Sequence, residues 1–136
     1  MQSAQQEWSK RSFSTLVRYL KQVPSIESHV GFGTLSNGCW WAKFTIDIEH
    51  PLAWRVIQEL GHVLNYLSID ERMPTIFMPV SPPPYLNGSP KDFLSWVIES
   101  NDSSFGPSEC KKWLYIRLPR PVHDLEQWNI GNADNE

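Results

Sequence analysis

This 136-residue sequence lacks three features, and each absence excludes a class of protein. It has no run of 18 apolar residues, and its most apolar segment, 75–80, contains Pro79, so we expect no membrane-spanning helix. It has no basic cluster, and its 12 lysines and arginines face 15 acidic residues, so nucleic acid is not an expected partner. Its first residues include no basic segment followed by an apolar one, which predicts a cytoplasmic protein.

Residues that carry chemistry are sparse or unsuitably spaced. The two cysteines, Cys39 and Cys110, are far apart and lack CxxC spacing, so we expect both to be reduced. The histidines show neither HxxxH nor HxH spacing, and no phosphate-binding glycine motif follows a predicted strand. His62 lies one helical turn after Glu59, but such pairs are common on solvated helix faces. The sequence therefore predicts no catalytic residue, no metal ligand and no cofactor.

The remaining composition predicts one folded domain over residues 1–136, in which residues 129–136 form a frayed tail. Seven tryptophans, six phenylalanines and four tyrosines supply the apolar area that a disordered chain lacks. A chain of this length buries roughly two-thirds of the surface that its unfolded form exposes. We therefore expect a single core.

Apolar periodicity predicts an α+β fold with two layers. The predicted helices cover residues 4–22, 51–67 and 107–118, and Ser89 caps another that is apolar through Ile98. The predicted strands cover 30–35, 40–49 and 75–80, and the last is an edge strand because Pro79 cannot donate a hydrogen bond. The expected architecture is a small, mostly antiparallel three-stranded sheet packed against helices, in the order α-β-β-α-β-α-α.

Asn37-Gly38 predicts a tight turn between the first two strands, because both residues tolerate positive φ. With a two-residue loop, Phe32 pairs with Lys43 and the glycines before the turn lie on the core face. The outer face then carries Val30, Phe32 and Trp41. A longer loop would change the register and turn Phe32 inward.

Tryptophan exceeds what a small core needs, and it is enriched at the centres of protein interfaces. Our candidate interface consists of Val30, Phe32, Trp41 and Lys43. It favours a non-catalytic binding protein whose partner is another protein or a second copy in a homodimer, in the manner of an immunity protein or antitoxin. Alternatively, the C-terminal segment with Trp113 and Trp128 folds across this face and buries it.

A second hypothesis is a small-molecule-binding protein or an enzyme. The prolines of segment 81–88 predict a stiff loop beside the sheet, and such loops often form the rim of a pocket. The candidate pocket residues are His62, Tyr85 and Trp96. A deep cavity with converging polar groups would favour this hypothesis over the first.

The stretch MPTIFMPVSPPPYLNG at 73–88, followed by FLSWVIES at 93–100 and LPRP at 118–121, resembles small uncharacterised bacterial proteins carried on mobile integron gene cassettes. The resemblance covers the C-terminal half of the chain. It implies a bacterial, stand-alone accessory protein. It implies no chemistry, because these segments contain no functional motif.

We predict that Trp128 docks on this chain's own domain. Pro119 and Pro121 prevent a continuous helix, so the apolar turn of Leu125 and Trp128 needs a surface to cover it. Burial of most of a tryptophan side chain contributes about 2–3 kcal/mol. Truncation after Arg120 should therefore lower the Tm by several degrees in thermal unfolding followed by circular dichroism. An unchanged Tm would contradict the docking.

Overall fold

The structure is a computed structural model that describes residues 8–71, 73–80 and 95–134. Its strands are β1 (Ile26–Thr34), β2 (Trp40–Ile46), β3 (Thr75–Val80) and β4 (Ser95–Ser100). Its helices are α1 (Lys10–Leu20), α2 (Ala53–Gly61), α3 (Ser68–Glu71), α4 (Pro107–Arg117) and α5 (Leu125–Asp134). A π-helical stretch, His62–Leu67, connects α2 with α3. The α+β class predicted from the sequence is confirmed.

The strands form one antiparallel sheet in the order β1-β2-β4-β3. Its inner face packs against α1, α2 and α4, and their buried side chains form one apolar core. Every second residue of β2 belongs to this face: Trp40, Ala42, Phe44 and Ile46. Leu16, Leu60 and Leu114 face them from the three helices, each 0% exposed. Burial of each leucine contributes about 2 kcal/mol.

The helix predicted after Ser89 is wrong where the structure describes it, because residues 95–100 form β4. β4 lies between β2 and β3, so the sheet has four strands among the described residues instead of three. Trp96, Val97 and Ile98 are all buried, and a strand buried on both faces has the same continuous apolar run as a buried helix. The spacing of apolar residues alone therefore cannot distinguish a buried strand from a buried helix. Residues 89–94 lie outside the described residues.

The hairpin register predicted for β1 and β2 is also wrong. The N–H of Leu35 donates to the carbonyl of Cys39 at 2.7 Å, so the loop has three residues and not two. Gly38 alone in this loop has positive φ, at 90°, which is typical of a type I turn followed by a bulge. Phe32 therefore pairs with Ala42 and points to the inner face, as expected for a longer loop.

Among the described residues, β3 pairs with β4 and with no other strand, in agreement with its predicted edge position. On the side away from β4, Asn65 of the π-helical stretch binds the β3 backbone. The Asn65 amide donates to the Phe77 carbonyl at 2.8 Å, and its side-chain oxygen accepts from the Phe77 N–H at 2.7 Å. Pro79, two residues further on, has no N–H to offer. Another strand therefore finds few donors on this edge.

The predicted docking of Trp128 is confirmed. Its side chain is 2% exposed, and its indole N–H donates to the Val122 carbonyl at 2.8 Å. α5 extends to Asp134. At the other end, α1 begins after Ser9, whose hydroxyl accepts from the Ser12 N–H. The predicted start at residue 4 lies outside the described residues.

Replacing Asn65 by alanine should destabilise the fold by about 1–2 kcal/mol, because two hydrogen bonds to the Phe77 backbone are lost. The free energy of unfolding in urea measures this change. Gln58→Ala is the control, because Gln58 is an exposed residue of α2, and it should change stability by less than about 0.5 kcal/mol. Equal stability of the two variants would show that Asn65 does not support the edge.

Candidate functional site

The outer face of the sheet, opposite the inner face and its helices, is the candidate site. Side chains alternate between the two faces along each strand, and the cross-strand pairs show which residues share the outer face. They are Gly31, Gly33, Trp41, Lys43, Thr45, Ile76, Met78, Val80, Ser95, Val97 and Glu99. Most of these side chains are half-buried, whereas Val97 is buried and Lys43 is exposed.

Trp41 lies across the glycines of β1. A Cβ atom placed on Gly33 would lie 2.8 Å from Cζ2 of the Trp41 indole, and one on Gly31 would lie 3.8 Å from Cζ3. Gly33 is the direct cross-strand partner of Trp41. The absence of a side chain at Gly33 thus allows the indole to lie close over β1, where it forms a broad apolar surface.

Two opposite charges interrupt the apolar surface. Trp41 pairs with Glu99 and Lys43 pairs with Val97, so Lys43 and Glu99 are diagonal neighbours on β2 and β4. Neither side chain forms an ion pair with another described residue. Ile76 and Met78 continue the apolar surface on β3, where they pair with Glu99 and Val97. The outer face therefore combines apolar area with one cation and one anion that have no ion-pair partner in the part of the chain that the structure describes.

The structure divides the interface predicted from the sequence. Trp41 and Lys43 lie on the outer face, as predicted. Val30 and Phe32 pair with Phe44 and Ala42 and lie on the inner face, contrary to the prediction. Phe32 is 41% exposed and stacks on the Phe13 ring of α1 with a centroid distance of 4.4 Å. The loop length is the physical reason, since one additional loop residue reverses the face of every residue in β1.

Two of the three residues of the predicted pocket, Trp96 and His62, belong to the described residues. Trp96 belongs to the core and stacks on Phe77 with a centroid distance of 5.1 Å. His62 is exposed on the π-helical stretch and stacks on Tyr66. Tyr85 and the rest of segment 81–88 lie outside the described residues. The predicted pocket therefore stays a prediction.

Sequence reasoning missed the outer-face residues of β3 and β4. The alternation of Ile76 and Met78 with buried Thr75 and Phe77 was a sufficient signal for β3. Val97 and Glu99 had no such signal, because the sequence around them predicted a helix. Assignment of β4 as a strand would have placed both residues beside Trp41 and Lys43.

Cysteine and metal chemistry do not contribute to the outer face. Both cysteines are free, as predicted, and both are buried. Cys110 is 0% exposed, and burial raises the pKa of its thiol, which keeps it protonated and unreactive. Across residues 8–71, 73–80 and 95–134, no three His, Cys, Asp or Glu side chains cluster as metal ligands would.

No protein-family model, curated protein or solved structure matches this chain. Among the described helices, none has both the length and the apolar character needed to cross a bilayer. The interpretation of the outer face therefore depends on its own geometry and chemistry.

Replacing Gly33 by alanine should displace the Trp41 indole, because the new Cβ would lie 2.8 Å from it. Fluorine NMR of protein labelled with 5-fluorotryptophan measures this displacement, and Trp41→Phe identifies the resonance. We expect the Trp41 resonance to shift in Gly33→Ala. It should stay in place in Gly31→Ala, whose Cβ would make an ordinary contact at 3.8 Å. An unshifted resonance in Gly33→Ala would contradict the packing of Trp41 on β1.

Proposed function

We propose that this protein is a non-catalytic binding protein that acts through protein–protein contact on its outer sheet face, and that its partner is a second copy. The observation that carries the proposal is the combination of Trp41 with Lys43 and Glu99 on one apolar sheet face. A stand-alone accessory role, implied by the resemblance to integron cassette proteins, agrees with action by binding and belongs to the same proposal.

The apolar residues of the outer face supply the driving force for association. Trp41, Ile76 and Met78 are half-buried in the single chain and retain apolar area that a partner would remove from water. Tryptophan is among the residues that contribute most to interface affinity. Lys43 and Glu99 are the charged residues of this face among the described residues, and the other side chains around them are apolar or neutral.

The two charges favour a second copy over an unrelated partner. In a two-fold symmetric dimer, a contact of Lys43 with Glu99 of the other copy occurs twice, because each copy supplies both residues. The apolar residues around them are then covered by the same residues of the other copy. The face is thus complementary to itself in charge and in polarity.

Association through the outer face is favoured over association through the sheet edges. Asn65 binds the Phe77 backbone and Pro79 has no N–H, so this side of β3 offers few donors to a strand of another chain. β1 has an irregular register between Ile26 and Val30, and bulges of this kind disrupt edge pairing.

The size of the face sets the expected strength. Four strands of about six residues span roughly 19 by 20 Å, or about 400 Å² in projection. A standard stable interface buries about 800 Å² per partner, so we expect a reversible dimer with a Kd in the micromolar range.

Sedimentation velocity at concentrations from about 1 to 200 µM tests the proposal. The wild-type chain should shift from monomer to dimer, and Lys43→Glu and Glu99→Lys should each weaken the dimer at least about tenfold, because both contacts become repulsive. A mixture of the two variants should form a heterodimer, because both contacts then join opposite charges. Lys10→Glu, at an exposed position of α1, is the control for a change of charge alone.

A wild-type chain that stays monomeric at the highest concentration would overturn the proposal. So would a mixture of Lys43→Glu and Glu99→Lys that associates no better than either variant by itself. Thermal unfolding of each variant separates a lost contact from a lost fold, because both residues lie at the surface of the sheet and should leave the Tm within a few degrees.

A further inference from the structure

A cleft on the helical side of the molecule collects positive charge. α1, α4 and the segment 120–123 form the walls of this open cleft, which has a volume of about 560 Å³. The side chains of this cleft that matter here are Arg18, Tyr19, Lys111, Tyr115, Arg120 and His123. The wall formed by residues 120–123 is anchored, because Val122 is buried and its carbonyl accepts the indole N–H of Trp128 at 2.8 Å.

Among the described residues, the positive charge of the cleft has no counter-charge. No aspartate or glutamate lines it. In the part of the chain that the structure describes, the ion pairs join Arg55 to Glu59 and Arg117 to Glu71, and neither pair includes a cation of the cleft. Since the whole chain carries a net charge of −3, this is a local excess of charge opposite in sign to the chain as a whole.

Tyrosine rings hold two of the cations in place. Lys111 Nζ lies 4.8 Å from the ring centroid of Tyr115 and 5.8 Å from that of Tyr19. The guanidinium carbon of Arg120 lies 5.6 Å from the Tyr115 centroid. A ring attracts a cation without neutralising its charge and without accepting all of its N–H groups. Lys111 and Arg120 are therefore positioned and still able to donate to a ligand.

Tyr19 adds an unused hydrogen-bond donor. Its side chain is 5% exposed, and its hydroxyl oxygen is buried without a partner among the described residues. Burial, more than the neighbouring Tyr115, raises the pKa of this hydroxyl, although Arg120 opposes the rise. The hydroxyl therefore keeps its proton. Buried polar groups in proteins are nearly always paired, so the hydroxyl of Tyr19, a residue that lines the cleft, has an unused capacity to donate.

We propose that this cleft binds a small multivalent oxyanion of the phosphate class, either an oligophosphate or a phosphate ester. Lys111 and Arg120 neutralise its charge, and the Tyr19 hydroxyl donates to one of its oxygens. The planar guanidinium of Arg120 matches two oxygens of one phosphate group. The volume exceeds that of a single phosphate ion, which favours a ligand with several groups. The site differs in place and in residues from the pocket predicted from the sequence.

Isothermal titration calorimetry with inorganic tripolyphosphate at low ionic strength tests this site. We expect saturable binding of one ligand per chain, weakened about tenfold by Lys111→Gln and by Arg120→Gln. Lys112→Gln is the matched control, because Lys112 is the next residue of α4 and does not line the cleft. Its affinity should equal that of the wild type. Equal losses in Lys111→Gln and Lys112→Gln would show a general charge effect and overturn the site.

Tyr19→Phe separates the hydroxyl from the ring. It should weaken tripolyphosphate binding about threefold to tenfold while the Tm stays equal or rises, because an unpaired buried hydroxyl is removed. Tyr66→Phe, at an exposed position, should change neither quantity. Unchanged affinity in Tyr19→Phe would exclude the hydroxyl as a donor. Citrate is the polycarboxylate probe, and citrate binding as tight as that of tripolyphosphate would overturn the assignment to the phosphate class.

Discussion

The indole of Trp40 connects the two layers of this protein. Its side chain is 0% exposed, and its N–H donates to the Phe105 carbonyl at 2.7 Å, just before α4. The Phe13 ring of α1 meets it edge-on, with a centroid distance of 6.2 Å. One side chain of the sheet is therefore in contact with α1 and bonded to the segment that leads into α4. Burial of a large ring that also satisfies its polar N–H contributes more than burial of an aliphatic side chain of the core.

Both proposed surfaces depend on this arrangement. Because successive residues of a strand point to opposite faces, burial of Trp40 directs Trp41 to the outer face. On the other side, the position of α4 beside α1 brings Lys111 and Tyr115 close to Tyr19. A bond between the hydroxyls of Ser12 and Ser108, at 3.1 Å, adds to the contact between these helices. The outer face thus lies on the side of the sheet away from the helices, whereas the cleft lies between α1 and α4.

The sequence predicts best the elements whose ends are marked by proline or whose buried and exposed residues alternate clearly. Pro107 begins α4 and Pro119 follows its end, and the alternation within Thr75–Val80 matches β3 over its full length. The hairpin depended on one detail that composition does not reveal, namely that Gly38 and not Asn37 takes positive φ. As a result, Val30 and Phe32 lie on the inner face instead of the predicted outer face, whereas Trp41 and Lys43 lie on the outer face as predicted. For β4, burial on both faces removed the alternation that identifies a strand.

The outer face and the cleft also differ in how far the sequence alone predicts them. Half of the proposed interface could be predicted from the sequence, because Trp41 and Lys43 lie on a strand in which apolar and polar residues alternate clearly. The cleft could not be predicted from the sequence. Tyr19 and Lys111 are about ninety positions apart in the chain, and neither α1 nor α4 carries a local pattern that marks the site. Only the packing of α1 on α4 brings these side chains together. Sites built between elements distant in sequence need the tertiary fold before their chemistry can be recognised.

The π-helical stretch His62–Leu67 has a consequence for how this chain tolerates changes in length. A π-helical turn holds one residue more than the α-helical turn that it replaces, so this stretch behaves as an insertion of a single residue within a continuous helix. Loss of that residue would restore ordinary winding and rotate Asn65 by about 100° relative to β3. The Phe77 N–H and carbonyl would then lose the Asn65 side chain that binds them. The same rotation would move Val63 and Leu64 out of the core, so the winding of one helical turn sets both the core packing and the hydrogen bonding of β3.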